Sequence, residues 1–312
     1  MSRQRGLFTA DQAHAAGYPP GEIERLRSGG QILSVRRGVY AATRVYQAMD
    51  DLRRHTVDAQ AALLCLKQPT TLSHETAAVW RGMPLLRPAL GDVHVTRPEL
   101  CASRREAGIY HHDGALPVGH VTELEGVRLT SDARTAVDIA RRSDFACGLA
   151  ATDSALRGGS SSEELQAVLA FCSSWPGARA ASRALSAAHP GAANPGESWS
   201  RAVLIELGLE PTDVQFPVYD DQGLAGYADV AWRDRWTLGE FDGRLKYAVP
   251  PGADPETAAR VVWEEKRRED RFRQAGWHVV RWGWTDLRHP PRLAAWILGA
   301  FARADAQHRM AT

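Results

Sequence analysis

A chain of 312 residues with 44% hydrophobic and 24% charged residues has the balance of a globular protein of two or three domains, which argues against disorder along its whole length. It has no run of 18 apolar residues, no apolar signal core in Met1–Leu7, and only four scattered cysteines (Cys65, Cys101, Cys147, Cys172), so no membrane span, secretion, disulfide framework or CxxC zinc site is expected, and a reducing cytoplasm fits best. The net charge of +1 hides two basic ends: residues 1–44 carry seven Arg against three acids, residues 258–312 carry eleven Lys and Arg against six acids, and the stretch between them is at −8. Basic ends of this kind are candidates to meet phosphate.

In chain order, Thr9 with Gln12 makes a capping box for an Ala-rich helix that ends near Gly17. Pro19 and Pro20 open a second helix to Arg27, with Ile23 and Leu26 on one face, and Gly29-Gly30 closes it. Two short strands, Ile32–Val35 and Gly38–Tyr40, flank Arg36-Arg37. Helix, turn, helix and basic hairpin is the plan of a winged helix-turn-helix over residues 1–44. Arg25 and Arg27 on the second helix and Arg36 and Arg37 on the wing are its DNA-binding candidates.

Residues 45–190 read as a mainly helical middle domain with a few strands. A helix is predicted over 47–66, and Ser73 is expected to cap the next one. Strands come next at Val93–Thr96, Gly108–His111 and Val127–Thr130. Ser161 with Glu164 caps the helix to Phe171. His111-His112-Asp113 looks like a metal cluster by composition. Adjacent strand residues point to opposite faces, however, so a satisfied surface pair is the expectation.

The stretch 188–196 holds two Pro and two Gly, and is read as the linker into a domain of residues 191–312. There the pattern gives a helix from Glu197, a strand near Val214–Val218, a hairpin of Tyr227–Trp232 with Trp236–Phe241, a charged helix over 255–275, the strand Trp277–Trp282 and a last helix over 290–303. This is a mixed α/β unit, and the whole chain is expected to be an α/β multi-domain protein.

A two-residue loop at Asp234-Arg235 would set Asp229 opposite Glu240, with Asp242 two residues further on the same face and Glu197 leaning in from the preceding helix. Clustered carboxylates repel unless a cation joins them, so Asp229, Glu240 and Asp242 are candidate ligands for magnesium or manganese (Mg²⁺ or Mn²⁺). Such a metal would activate water for phosphodiester hydrolysis.

These residues carry two resemblances. The Phe8-Thr9 pattern, the Ala-rich and Ile/Arg/Leu helices and the run Val35-Arg36-Arg37-Gly38-Val39-Tyr40 resemble the N-terminal domain of AbiEi-type antitoxins. The middle region, with Ser73-His74 and a Thr-Ser-x-x-Arg-Thr-x-x-Asp helix, resembles that family too. Glu197, Asp229 and Glu240-Phe241-Asp242-Gly243, with Lys246 after them, resemble the PD-(D/E)XK nuclease superfamily, within it the very-short-patch-repair-like endonuclease domains. Asp242 stands where that superfamily often has Lys, and Lys246 is the candidate replacement. The second resemblance implies a restriction-endonuclease-like C-terminal domain and a metal-dependent DNA endonuclease in repair or phage defence, with Asp229, Glu240, Asp242, Glu197 and Lys246 as its catalytic set. The first implies an alternative: an antitoxin that binds DNA to repress its own promoter, partnered with a nucleotidyltransferase-type toxin, whose nuclease-like domain is inactive.

Overall fold

In the computed structural model, which describes residues 4–66, 68, 70–243 and 254–311, the first helix begins as its sequence dictates. Thr9 closes β1 (Phe8–Thr9). Its hydroxyl accepts from the Gln12 backbone N–H while the Gln12 side chain returns to the Thr9 N–H, and this capping box starts α1 (Ala10–Ala15). Pro20 opens α2 (Pro20–Ser28), where its missing N–H leaves no bond unmade. β2 (Ile32–Arg36) and β3 (Val39–Ala42) form the expected hairpin, and Gly38 makes its turn at φ 75°, where a side chain would be strained. The three strands lie in the order β1-β3-β2.

A short α3 (Thr43–Gln47) precedes α4 (Asp51–Cys65), which is the helix expected over 47–66 with a later start. The Asp50 carboxylate accepts from the Arg53 N–H and fixes the start of α4. Val57 and Ala61 of α4 join Leu7, Val39 and Ala41 in one core, while its Ala59 and Ala62 join Leu72, Val95 and Leu129 in another. One helix thus supports both the N-terminal hairpin and a second, larger sheet.

That second core is built on β4 (Thr71–Leu72), α5 (His74–Trp80), β5 (Val93–Arg97), β6 (Arg104–Glu106), β7 (Ile109–Asp113), β8 (Val121–Leu124) and β9 (Val127–Thr130). These six strands form one mixed sheet in the order β6-β7-β5-β4-β9-β8, with β5 and β7 parallel. The middle stretch therefore carries a six-stranded sheet among its helices where a few strands were expected. α6 (Asp132–Ala140) is buried along its length because Arg134 and Asp138, one turn apart, satisfy each other at 2.7 Å while both are 1% exposed. α7 (Phe145–Arg157), α8 (Ser162–Phe171) and α9 (Ala178–Ser186) come next, and the Ser161–Glu164 capping box forms as expected.

α10 (Pro195–Glu206) is capped by Asn194, whose side chain accepts from the Gly196 and Glu197 N–H groups. After it come β10 (Asp213–Asp220), β11 (Gly223–Trp232), β12 (Thr237–Phe241), α11 (Pro255–Gln274), β13 (His278–Trp282), α12 (Trp284–Leu287) and α13 (Pro290–Ala311). The sheet order is β10-β11-β12-β13, antiparallel except for the parallel β12–β13 pair. Val203 and Leu204 of α10 and Leu293 and Ile297 of α13 share a core with Val230, Trp232, Phe241, Val280 and Trp282. Phe272 of α11 joins Val218, Ala228, Ala231 and Leu238 in a second one. Gly239 leaves room for this packing, since a Cβ there would collide with Trp282 and Val230.

Packing divides the chain into two compact units: Met1–Arg142 with Ser160–Ala181, and Ser143–Gly159 with Ser182–Thr312. α7 lies before the Pro/Gly-rich stretch in sequence, yet it packs on α10 beyond it, where Arg201 meets the fully buried Asp153 at 2.8 Å. Among the described residues no helix is long and apolar enough to cross a membrane.

Candidate nucleic-acid interface and carboxylate site

α2 buries Ile23 and turns its arginines outward. Arg25 is 74% exposed and pairs with Glu22 at 2.5 Å; Arg27 is 51% exposed and pairs with Glu24 at 2.6 Å. Exposed i,i+3 pairs of this kind are screened by water and weak, so a phosphate can displace the glutamates at little cost. Arg37, at the tip of the β2–β3 hairpin, is exposed. Arg36 is placed differently from the sequence expectation. Its guanidinium turns back and donates to the carbonyls of Ala107 at 2.5 Å and Gly108 at 3.3 Å. The residue before the turn thus anchors the hairpin, and the residue at the turn faces solvent.

In the C-terminal sheet, Val230 pairs with Gly239 and Trp232 with Thr237, the register expected, and the paired ladder ends one step before Asp229 and Glu240. The turn itself is longer than expected, a 3-10 stretch over Arg233–Arg235 followed by Trp236 at φ 45°. The opposed carboxylates nevertheless have separate partners. Asp229 Oδ2 accepts from the Phe241 N–H at 2.8 Å, and Gln215 Nε2 stands 3.5 Å from its Oδ1 and 3.4 Å from Glu197 Oε2. Glu197 accepts from the Ala193 N–H at 2.7 Å and the Asn194 amide at 2.6 Å. Burial, reinforced by the Glu197 charge, pushes Asp229 up to about 7, and burial raises Glu197 as well.

Glu240 is 5% exposed and held by two guanidiniums, Arg268 at 2.8 Å and Arg281 at 2.6 Å. Burial still raises its pKa, against the opposing pull of Arg268 and Arg281. Arg281 reaches on to Glu265 at 2.5 Å and Glu269 at 3.2 Å, so Glu240 belongs to an arginine–glutamate network spanning β12, β13 and α11. Asp242 is exposed, and its N–H donates to the Trp282 carbonyl. Lys246 lies outside the described residues.

Of the expected set, Glu197 and Asp229 thus lie about the Gln215 amide, while Glu240 is drawn to its two arginines. No three of Glu197, Asp229, Glu240 and Asp242 bring carboxylate oxygens within 4.8 Å of one another. Two guanidiniums already supply the opposite charge that a magnesium or manganese ion would bring to Glu240. The side chains as they stand do not fit such an ion.

A different cluster escapes a reading along the chain. His74, His94 and His112, from α5, β5 and β7, offer ring nitrogens within 4.8 Å of one another, and all three are buried. His111 and His112 are not the surface pair expected from the sequence. Alternation does send the two rings to opposite faces, but both are buried, at 3% and 6% exposure. Ser73 also departs from expectation: it occupies the N-cap position of α5 without a side-chain capping bond, and its hydroxyl instead lies 3.0 Å from His74 Nδ1. The signal that could have found the cluster is the parallel pairing of β5 with β7, which puts His94, Thr96, Tyr110 and His112 on one face.

Among known protein families, residues 2–43 match the one described as transcriptional regulator, AbiEi antitoxin. Residues 64–185 match the AbiEi antitoxin C-terminal domain family. Among curated proteins, the uncharacterized proteins MT2308 and Rv2248 of Mycobacterium tuberculosis (strains CDC 1551 and H37Rv) are each 30% identical over 183 residues, covering 58% of this chain and 64% of their own length. The chain thus spans somewhat less than two thirds of these relatives. Among solved structures, the crystal structure of the RV2827C protein from Mycobacterium tuberculosis aligns with a TM-score of 0.38 and 17% identity, over 68% of this chain and 79% of that one. Two separate segments, one carrying the helix–turn–helix and hairpin and one carrying the six-stranded sheet, thus match domain families of AbiEi antitoxins.

Proposed function

We propose that this protein is a DNA-binding transcriptional autoregulator and the antitoxin of a toxin–antitoxin pair. The observation that carries the reading is the family match over residues 2–43 on a helix–turn–helix with a hairpin whose Arg25, Arg27 and Arg37 face solvent. In this reading α2 enters the major groove of operator DNA and the hairpin tip meets the adjacent backbone. The match over residues 64–185 supports a partner of the nucleotidyltransferase type, the toxin class implied by the AbiEi resemblance, neutralised by this chain.

The test is binding of purified protein to DNA upstream of its own gene across a salt series. Wild type is expected to bind that DNA more tightly than an unrelated duplex. Arg25→Ala with Arg27→Ala is expected to weaken binding and flatten the dependence of log K on log salt by about 0.9 for each phosphate that is no longer neutralised. Arg37→Ala acts in the same direction, whereas Arg36→Ala acts by loosening the hairpin and lowers thermal stability too. Equal affinity for any duplex, or an unchanged slope in the double variant, overturns the assignment. Growth rescue on co-expression with the partner toxin tests the antitoxin role, and failure to rescue removes it.

A further inference from the structure

The histidine cluster has a geometry of its own. His94 Nδ1 lies 2.8 Å from His112 Nε2. The His74 ring stacks on His112 with centroids 3.7 Å apart and planes 15° from parallel. Glu75 Oε2 is 3.9 Å from His94 Nε2. All three rings are buried, with His74 3%, His94 8% and His112 6% exposed. His74 is held at φ 51°, left-handed backbone that a non-glycine residue rarely adopts and that clusters at functional sites.

His74 and His112 also line a cavity of about 740 Å³ together with Asp113, Arg134, Asp138 and Arg142. Asp138 pairs with both Arg134 and Arg141, and Arg142 stacks over the Tyr110 ring at 4.9 Å. The local charge next to the cluster is therefore partly compensated.

We propose that His74, His94 and His112 form a binding site for a zinc-class divalent cation, with a fourth coordination position open to the cavity. Three imidazoles suit Zn²⁺ and its neighbours rather than Mg²⁺. With Zn–N bonds of about 2.0–2.1 Å at a tetrahedral angle, two nitrogens stand roughly 3.3–3.4 Å apart, so the His94–His112 contact opens by about half an ångström as the metal enters. With His94 carrying the shared proton on Nδ1, that proton moves to Nε2, the nitrogen facing Glu75. Metal takes the vacated lone pair, and a carboxylate supports the ligand from behind. His74 turns out of its stack on His112 and supplies the third nitrogen, while Ser73 Oγ orients its other side. The open position takes water or an oxyanion, which the nearby guanidiniums favour.

The experiment uses full-length protein stripped with EDTA and titrated with Zn²⁺ by calorimetry. Co²⁺ is added in parallel, so that its visible spectrum reports coordination geometry and separates imidazole from thiolate ligands. One equivalent is expected to bind, with a nitrogen-ligated four- or five-coordinate Co²⁺ spectrum and a Zn²⁺-dependent rise in melting temperature. His94→Gln and His112→Gln are expected to lose this binding, His111→Gln on the opposite face to keep it, and Glu75→Gln to weaken it by about 10–100-fold. Absence of binding in wild type, or equal binding in the two ligand variants, overturns the proposal. If either ligand variant does not fold, Glu75→Gln decides, and an unchanged affinity there overturns it as well.

Discussion

The two compact units each bury a cluster of titratable side chains, and the clusters solve the same problem in opposite ways. In the first, three histidines lie close together and stay neutral, because burial holds their pKa values down. In the second, carboxylates are satisfied by their own partners: Asp229 and Glu197 by backbone and amide donors, with the Gln215 amide near both, and Glu240 by Arg268 and Arg281. Neutral ligands with free lone pairs can accept a cation, whereas a carboxylate between two guanidiniums has its counter-charge already. Ligand potential depends on what else surrounds the atoms, and metal-ligating residue types alone do not decide it.

The largest effect that would sharpen this contrast is loss of the guanidinium support. Arg268→Met with Arg281→Met leaves Glu240 buried without a partner, and unfolding free energy measured in denaturant is expected to fall by about 3–5 kcal/mol. A loss below about 1 kcal/mol would mean that the network does not hold Glu240.

The clusters should also respond to pH with opposite signs. Histidines whose folded pKa lies below the unfolded value of about 6.5 contribute stability that is complete above that value and is lost as pH falls towards 4. Asp229 is raised from 3.8 to about 7, so the unfolded chain gives up its proton first. Its contribution is favourable below pH 4 and is lost as pH rises to 7. Asp229→Asn should therefore stabilise the protein at pH 8 by roughly 1–4 kcal/mol and have little effect near pH 3.5. His94→Gln should flatten the acid limb between pH 6.5 and 4. Thermal melts of the two variants across pH check both, and trends of the same sign would break the comparison.

A smaller effect concerns Arg142, which stands near the histidines. Arg142→Gln removes one positive charge and should tighten Zn²⁺ binding a few-fold, most visibly at low salt. Weaker binding in that variant would assign Arg142 a supporting role instead of a repulsive one.

Much of the fold was legible because it is written locally. The capping boxes at Thr9–Gln12 and Ser161–Glu164 and Pro20 at the start of α2 each act within a few residues. The β11–β12 register was legible too, since a hairpin ties pairing to sequence spacing even though its turn is longer than expected. What resisted reading is non-local. Arg268 and Arg281 reach Glu240 from 28 and 41 positions away. His74, His94 and His112 meet only because β5 pairs in parallel with β7 and α5 places its first residue against that face. Arg36 looked like a wing residue until the loop at Ala107 and Gly108 supplied carbonyls for it. Pairwise chemistry along the chain identifies candidates, and packing decides which of them are free to act.

The most direct measurement of the functional account incubates the protein with DNA from its own promoter in Mg²⁺ and Mn²⁺, then resolves bound from free and intact from cut DNA on parallel gels. The account predicts a specific shift, lost in Arg25→Ala with Arg27→Ala, and intact DNA throughout. Metal-dependent cleavage that disappears in Asp229→Asn or Glu240→Gln would contradict it and restore the carboxylates as a nuclease centre.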